Sequence, residues 1–191
     1  KSTDYEAAKS KIQELETAFP NRIEYRFELA KAYYDKKDYA NAETAFLNKI
    51  NASKATTQDY FYLGYSQYYQ KKYAVADSTF ARLTELSPTY LTGHLMRAKS
   101  SVQLDPELKT GLAKPHYEKV IELGLADAEK NKKALLEAYK YLGYYHVTFD
   151  QVEAAKINFN HAFAMDPNDT ELIDILTKLN NGVPPVAKGS K

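Results

Sequence analysis

The segment Tyr60-Phe61-Tyr62-Leu63-Gly64-Tyr65-Ser66-Gln67-Tyr68-Tyr69-Gln70-Lys71-Lys72-Tyr73 decides the fold, because part of it recurs. Tyr60-x-x-Leu63-Gly64 returns as Tyr139-x-x-Leu142-Gly143, and the pattern downstream returns with it. Ala76-x3-Phe80 followed by Pro88 becomes Ala155-x3-Phe159 followed by Pro167, with the same eight-residue step to each proline. A third copy, Leu29, Ala42 and Phe46, precedes Leu63, Ala76 and Phe80 by 34 residues at every position. A fixed period of this size marks a chain built from one supersecondary unit stacked on its own copies.

A 34-residue period carrying aromatic-x2-L-G, then A-x3-F, then P resembles the tetratricopeptide repeat, a helix-turn-helix unit. The resemblance covers nearly the whole chain. It implies an all-α fold, a right-handed superhelix (α-solenoid) of stacked helix pairs spanning residues 1–179. Residues 1–22 match only the second helix of a truncated repeat. Complete repeats are expected at 23–56, 57–90, 91–135 and 136–169, a closing helix at 170–179, and a disordered tail at 180–191 with Gly182 as its helix stop. The repeat at 91–135 departs from the pattern: Arg97 replaces the Leu of the other copies, and Leu63 to Leu142 spans 11 residues more than two periods. Three of the extra residues fall in LDPELKTG and eight in GLADAEKNKK. Asp105-Pro106 and Asp166-Pro167 read as an N-cap followed by Pro at the first helical position, and hence as helix starts. Pro115 requires a shortened helix that begins near Leu112.

Seven of the fourteen residues of the opening segment are aromatic, too many for one buried face. With about 100° of rotation per residue, Leu63, Gln67, Tyr60 and Gly64 share one side of a helix, and Tyr68, Phe61, Tyr65, Tyr69 and Tyr62 share another. The first side is the core of the helix pair, where Gly64 admits a close approach opposite Ala76 and Phe80. The second side occupies positions that, by resemblance, line the inner, concave surface of a tetratricopeptide superhelix. The same resemblance places Glu24, Phe27, Glu28, Lys31, Tyr34 and Asp35 there from the first complete repeat. It adds Gln58 with the rings from the second, Thr92, Leu95, Met96, Lys99, Val102 and Gln103 from the third, and Glu137, Lys140, Tyr141, Tyr144 and Val147 from the fourth. Packing against neighbouring repeats accounts for some of these rings. Five rings at roughly 150–250 Å² each nevertheless exceed the ~400 Å² apolar patch a soluble monomer leaves without purpose.

Other chemistry is sparse. The 191 residues carry 26 basic and 25 acidic side chains, a formal net charge of +1, which offers no long-range field for nucleic acid. No apolar run approaches the ~20 residues that span a bilayer, so no membrane insertion is expected. The absence of cysteine excludes disulfides and thiol nucleophiles. Neither HExxH, an Asp-rich calcium loop, a G-x-S-x-G elbow nor a phosphate-binding glycine loop occurs, so no metal, cofactor or catalytic residue is expected and the chain reads as a non-enzyme. His94 and His146 stand at repeat aromatic positions and are expected to be core or half-buried, His116 and His161 solvated.

The expected function is therefore non-catalytic protein–protein interaction, a scaffold or assembly role in which a Tyr-rich groove takes a peptide segment. The partner-binding residues are Phe61, Tyr62, Tyr65, Tyr68, Tyr69, Tyr141 and Tyr144, with Lys99 and Lys140 as polar anchors. One subclass of the family holds a peptide's terminal carboxylate with inner Lys and Asn. The corresponding positions here are Phe27, Lys31, Tyr65, Thr92 and Met96, and only Lys31 fits. Two alternatives stay open: a carbohydrate-binding module on the same aromatic surface, for which Gln58 and Gln103 are a thin polar supply, and homo-oligomerisation through the groove. The Tyr-rich copies and the GLAKPHYEKVIELG cadence are also similar to tetratricopeptide proteins of the bacterial periplasm or cell envelope.

Overall fold

A computed structural model of the chain describes residues 2–19 and 22–183. The described residues form ten α-helices and a single 3-10 turn, with no strand. They are α1 (Ser2–Ala18), α2 (Ile23–Asp35), α3 (Tyr39–Ala52), α4 (Thr57–Tyr69), α5 (Tyr73–Leu86), α6 (Leu91–Leu104), α7 (Lys114–Gly124), α8 (Lys132–Thr148), α9 (Val152–Met165) and α10 (Thr170–Asn180), with the 3-10 turn at Leu125–Asp127. Residues 184–191, most of the tail read from sequence as disordered, lie outside the described residues, and Asn180 is the last residue of α10.

The chain divides into two compact units, Lys1–Pro88 and Thr89–Lys191. In the first, α2 pairs with α3 and α4 with α5, α1 packs on α2, and α3 packs on α4. In the second, α6 pairs with α7 and α8 with α9, α7 packs on α8, and α10 closes against α9.

Three of the hairpins turn in the same way. After α2, the Asp38 N–H donates to the Tyr33 carbonyl and the Lys37 N–H to the Tyr34 carbonyl, with Lys37 at φ 62°. The same pair of bonds recurs around Lys71 and Asp150, at φ 62° and 56°. This is the Schellman arrangement, in which a left-handed residue satisfies the last free carbonyls of the helix and reverses the chain. Gly182 (φ 73°) ends α10 likewise, with the Val183 N–H on the Lys178 carbonyl.

The repeated residues are the core of each hairpin. A Cβ added at Gly64 would lie 2.6 Å from the Phe80 ring, and one added at Gly143 would lie 2.6 Å from the Phe159 ring. Phe46, Phe80 and Phe159 are fully buried beside Ala42, Ala76 and Ala155. Tyr117 takes the Phe place in the divergent repeat, and its hydroxyl donates to Glu137 at 2.8 Å. In unit 1 two polar links cross between hairpins. The Lys49 ammonium (α3) pairs with Asp59 (α4), both buried, and Asp59 also accepts the Thr56 N–H at 2.7 Å while Thr56 Oγ1 receives the Asp59 N–H, a capping box that starts α4. Glu43 (α3) accepts from Gln67, Gln70 and Lys72, and the Gln67 carbonyl oxygen accepts from Thr79 of α5 at 2.6 Å.

The Asp-Pro readings require correction. Neither Asp105 nor Asp166 starts a helix: each is the C-cap of the preceding one, α6 and α9 respectively. Helix α10 begins three residues after Asp166, capped by Asp169, whose carboxylate accepts the Glu171 and Leu172 N–H groups. Asp105 instead organises the long turn before α7. Its carboxylate accepts the N–H groups of Lys109, Thr110, Gly111 and Leu112 and the Thr110 hydroxyl. Leu108, in the same turn, is buried and holds a left-handed φ of 56°. A buried carboxylate with several N–H donors is satisfied by a turn as well as by a helix start, and the dipeptide does not distinguish them. Pro115 sits in the first turn of α7, an 11-residue helix that begins at Lys114.

Candidate functional site

Each unit presents a face built from the first helices of its repeats, α2 and α4 in unit 1, and α6, α8 and α10 in unit 2. The two faces are chemically different.

The unit 1 face is aromatic. Tyr62 is anchored on one side by a parallel stack on Phe46 (centroids 5.6 Å, interplanar angle 4°) and at its edges by Phe27 and Tyr34 at 5.9 and 5.0 Å. It is therefore mainly the joint between α2, α3 and α4. Phe61 and Tyr65, half-buried and 4.7 Å apart, lie towards α5, where Tyr65 meets the edge of Phe80. Tyr68 packs on Tyr73 at 5.2 Å. Tyr69 remains 49% exposed although it stacks on Tyr39 at 4.7 Å and 25°. Burial raises the Tyr34 phenol well above its ordinary value, reinforced by the nearby hydroxyls of Tyr69, Tyr65, Tyr39 and Tyr62. Lys31 crosses this face, its ammonium 6.0 Å from the Tyr62 centroid and 2.6 Å from Asp35.

The unit 2 face is knitted by charge. Lys99 of α6 pairs with Glu137 of α8 at 3.0 Å, and Glu137 also receives the Tyr117 hydroxyl. Lys140 of α8 bridges Asp169 and Glu171 at 2.9 and 2.8 Å, and the Tyr144 hydroxyl donates to Glu171 at 2.7 Å. Burial opposes the charge on Lys140, but hydrogen bonds to Glu171 and Asp169 outweigh it and hold the ammonium above its usual value. Burial and the Glu171 carboxylate raise the Tyr144 phenol, and the Lys140 ammonium lowers Asp169. Burial, with Asp105 nearby, pushes Tyr141 up to about 12; its ring lies 4.6 Å from that of Tyr117. Met96, placed on the groove by position, is buried at 4% exposure.

The structure therefore separates the candidate residues into two groups: Phe61, Tyr65, Tyr68 and Tyr69 form one ring array with Tyr62 at its base, whereas Lys99, Lys140 and Tyr144 are engaged by carboxylates within unit 2 and Tyr141 packs its ring on Tyr117. The repeat register already pairs position 99 with 137 and position 144 with 171; what sequence reasoning missed was that both links carry complementary hydrogen-bonding groups. Tyr117 at a Phe position was the remaining signal. His94 and His146 are half-buried, His161 is exposed against the Tyr139 ring at 4.8 Å, and His116 is half-buried rather than solvated. Among the described residues no cluster of His, Asp or Glu is placed to hold a metal ion, and no helix is long and apolar enough to cross a membrane.

Helix hairpins in register, each closed by a small residue against a buried ring, define a helical-repeat protein of the solenoid class. Solved structures agree. The C-terminal part of a TPR repeat-containing protein from Cytophaga hutchinsonii is 30% identical with a TM-score of 0.81, over 87% of this chain and 65% of that one. The chain thus spans less than two thirds of that relative's length. MamA (18% identity, TM-score 0.70, 89% and 93% covered) and YrrB, a TPR protein with an unusual peptide-binding site (14%, 0.70, 91% and 84%), share the fold. No family model and no curated protein sequence matches the chain. The period, the hairpins and the structural likenesses give the chain the fold of the tetratricopeptide-repeat proteins.

Proposed function

We propose that the chain is a non-catalytic interaction module that holds a peptide segment of another protein on the aromatic face of unit 1. The observation that carries this reading is Tyr69, a ring left 49% exposed while fixed by stacking on Tyr39 and by its neighbour Tyr65. A ring immobilised before binding loses little further entropy on contact, and tyrosine combines a large area with a hydroxyl that tolerates water. Phe61, Tyr65 and Tyr68 extend the surface. The unit 2 residues Lys99, Lys140 and Tyr144 already hold their polar groups in ion pairs and hydrogen bonds within that unit. YrrB, with its peptide-binding site, lends the reading support at the level of the fold.

The test is capture from a random peptide array by the parent and by a Phe61→Ala/Tyr65→Ala/Tyr69→Ala variant whose helicity is checked by circular dichroism. The expected result is selective capture by the parent and a loss of about tenfold or more in the folded variant, as hot-spot rings show. Equal capture by both would overturn it.

A further inference from the structure

Resting on the peptide-binding reading, the charge around Tyr62 narrows the chemistry of the partner. One side of the Tyr62 ring is taken by the parallel Phe46, and the Lys31 ammonium lies 6.0 Å from its centroid. The Lys31 ammonium is held up chiefly by its hydrogen bond to Asp35, with Glu28 and Tyr62 adding to the field. Glu24 and Glu28 extend this acidic edge along the exposed side of α2; Glu24 is engaged by Arg22 at 3.2 Å, whereas Glu28 has no ion-pair partner among the described residues. The basic turn residues Lys37 and Lys71 follow the C-terminal ends of α2 and α4, two residues beyond Asp35 and Tyr69. A tyrosine face flanked by carboxylates attracts an ammonium or guanidinium group through its negative quadrupole and the adjacent charge.

We propose that the segment bound on this face carries a lysine or arginine side chain, which lies over Tyr62 beside Glu28 in competition with Lys31, while its apolar residues lie on Phe61, Tyr65 and Tyr69. Lys31 is then the resident occupant of a cation subsite. Its long, flexible stem lets it swing back to Asp35 alone when a ligand cation arrives.

The test uses three end-blocked, fluorescently labelled twelve-residue peptides in which leucine alternates with lysine, glutamine or glutamate, titrated with the full chain and read by anisotropy. The lysine peptide is expected to bind at least threefold tighter than the glutamine peptide, and the glutamate peptide weakest. Glu28→Gln should erase the lysine preference without altering glutamine-peptide binding. Lys31→Gln should strengthen lysine-peptide binding more than Lys71→Gln, which changes the net charge equally at the far end of α4. Equal affinity for the lysine and glutamine peptides, both lost in the Phe61/Tyr65/Tyr69 variant, would overturn the cation subsite and leave the peptide-binding reading intact. Equal effects of Lys31→Gln and Lys71→Gln would reduce the preference to overall charge and also overturn the subsite. Binding of none of the three would count against the cation subsite, and a blank random array beside it would remove the peptide-binding reading as well.

Discussion

At Gly64 the requirement is steric rather than conformational: the residue is helical, and the Phe80 ring fills the space a Cβ would need. Gly64→Ala is expected to destabilise by about 1–3 kcal/mol through overpacking, read as a lower urea midpoint at unchanged m-value. The three hairpin turns pose the opposite problem. Lys37, Lys71 and Asp150 hold left-handed backbone without being glycine, at a cost that glycine does not incur. Lys71→Gly is therefore expected to raise stability by up to ~1 kcal/mol after its unfolded-state entropy is subtracted, measured by the same denaturation. The Lys37 and Lys71 turns were not legible as left-handed in sequence, because lysine is not a marker for that conformation; the Gly182 stop was legible because glycine is.

Among the elements, the turn held by Asp105 is one whose strength depends on pH. Burial pushes its carboxyl up, but the Thr110 hydroxyl and the Thr110, Gly111 and Leu112 N–H groups outweigh this and leave it below the usual carboxylate range. A folded-state value below the unfolded one stabilises the fold fully above the unfolded pKa of about 3.9 and loses that contribution as pH falls through the lowered folded value. Asp105→Asn is expected to lower stability at pH 7 and to flatten the acid limb below pH ~4, followed by thermal melts across pH. The attachment of α10 depends on a second polar set. Removing the Lys140 ammonium leaves Asp169 and Glu171 facing one another without their shared cation. Lys140→Met is expected to speed hydrogen exchange in α10 selectively, with α2–α5 unchanged.

For the molecule as a whole, three clusters of buried residues can be assigned to one unit each. Ala30, Ala42, Phe46 and Leu63 make one in unit 1. Ala98, Tyr117 and Leu142, and then Tyr139, Phe159, Leu172 and Ile175, make two in unit 2. A repeat chain held by nearest-neighbour contacts can lose stability locally. Phe159→Ala is expected to cost about 3–5 kcal/mol and to be felt first in unit 2. Hydrogen exchange should show α8–α10 opening while the slowest amides of α2–α5 keep their protection; uniform loss across both units would instead indicate a single cooperative block.

The sequence by itself determined the helical repeat, because a 34-residue recurrence of Leu and Ala-x3-Phe, and the later return of Leu-Gly, Ala-x3-Phe and Pro together, encode the small-against-large packing of paired helices. It also marked the ring-rich helix, since the six aromatics between Tyr60 and Tyr69 cannot share one face. Tertiary structure decided which rings are joints and which are surface. Tyr62 and Tyr69 lie on the same side of the helical wheel, yet one is seated on Phe46 and the other stays half open, a difference set by where α3 crosses α4. It decided as well that Lys99, Lys140 and Tyr144 face inward partners. Ion pairs such as Lys140 with Glu171 join residues 31 positions apart, and their geometry exists only once the helices that carry them have packed.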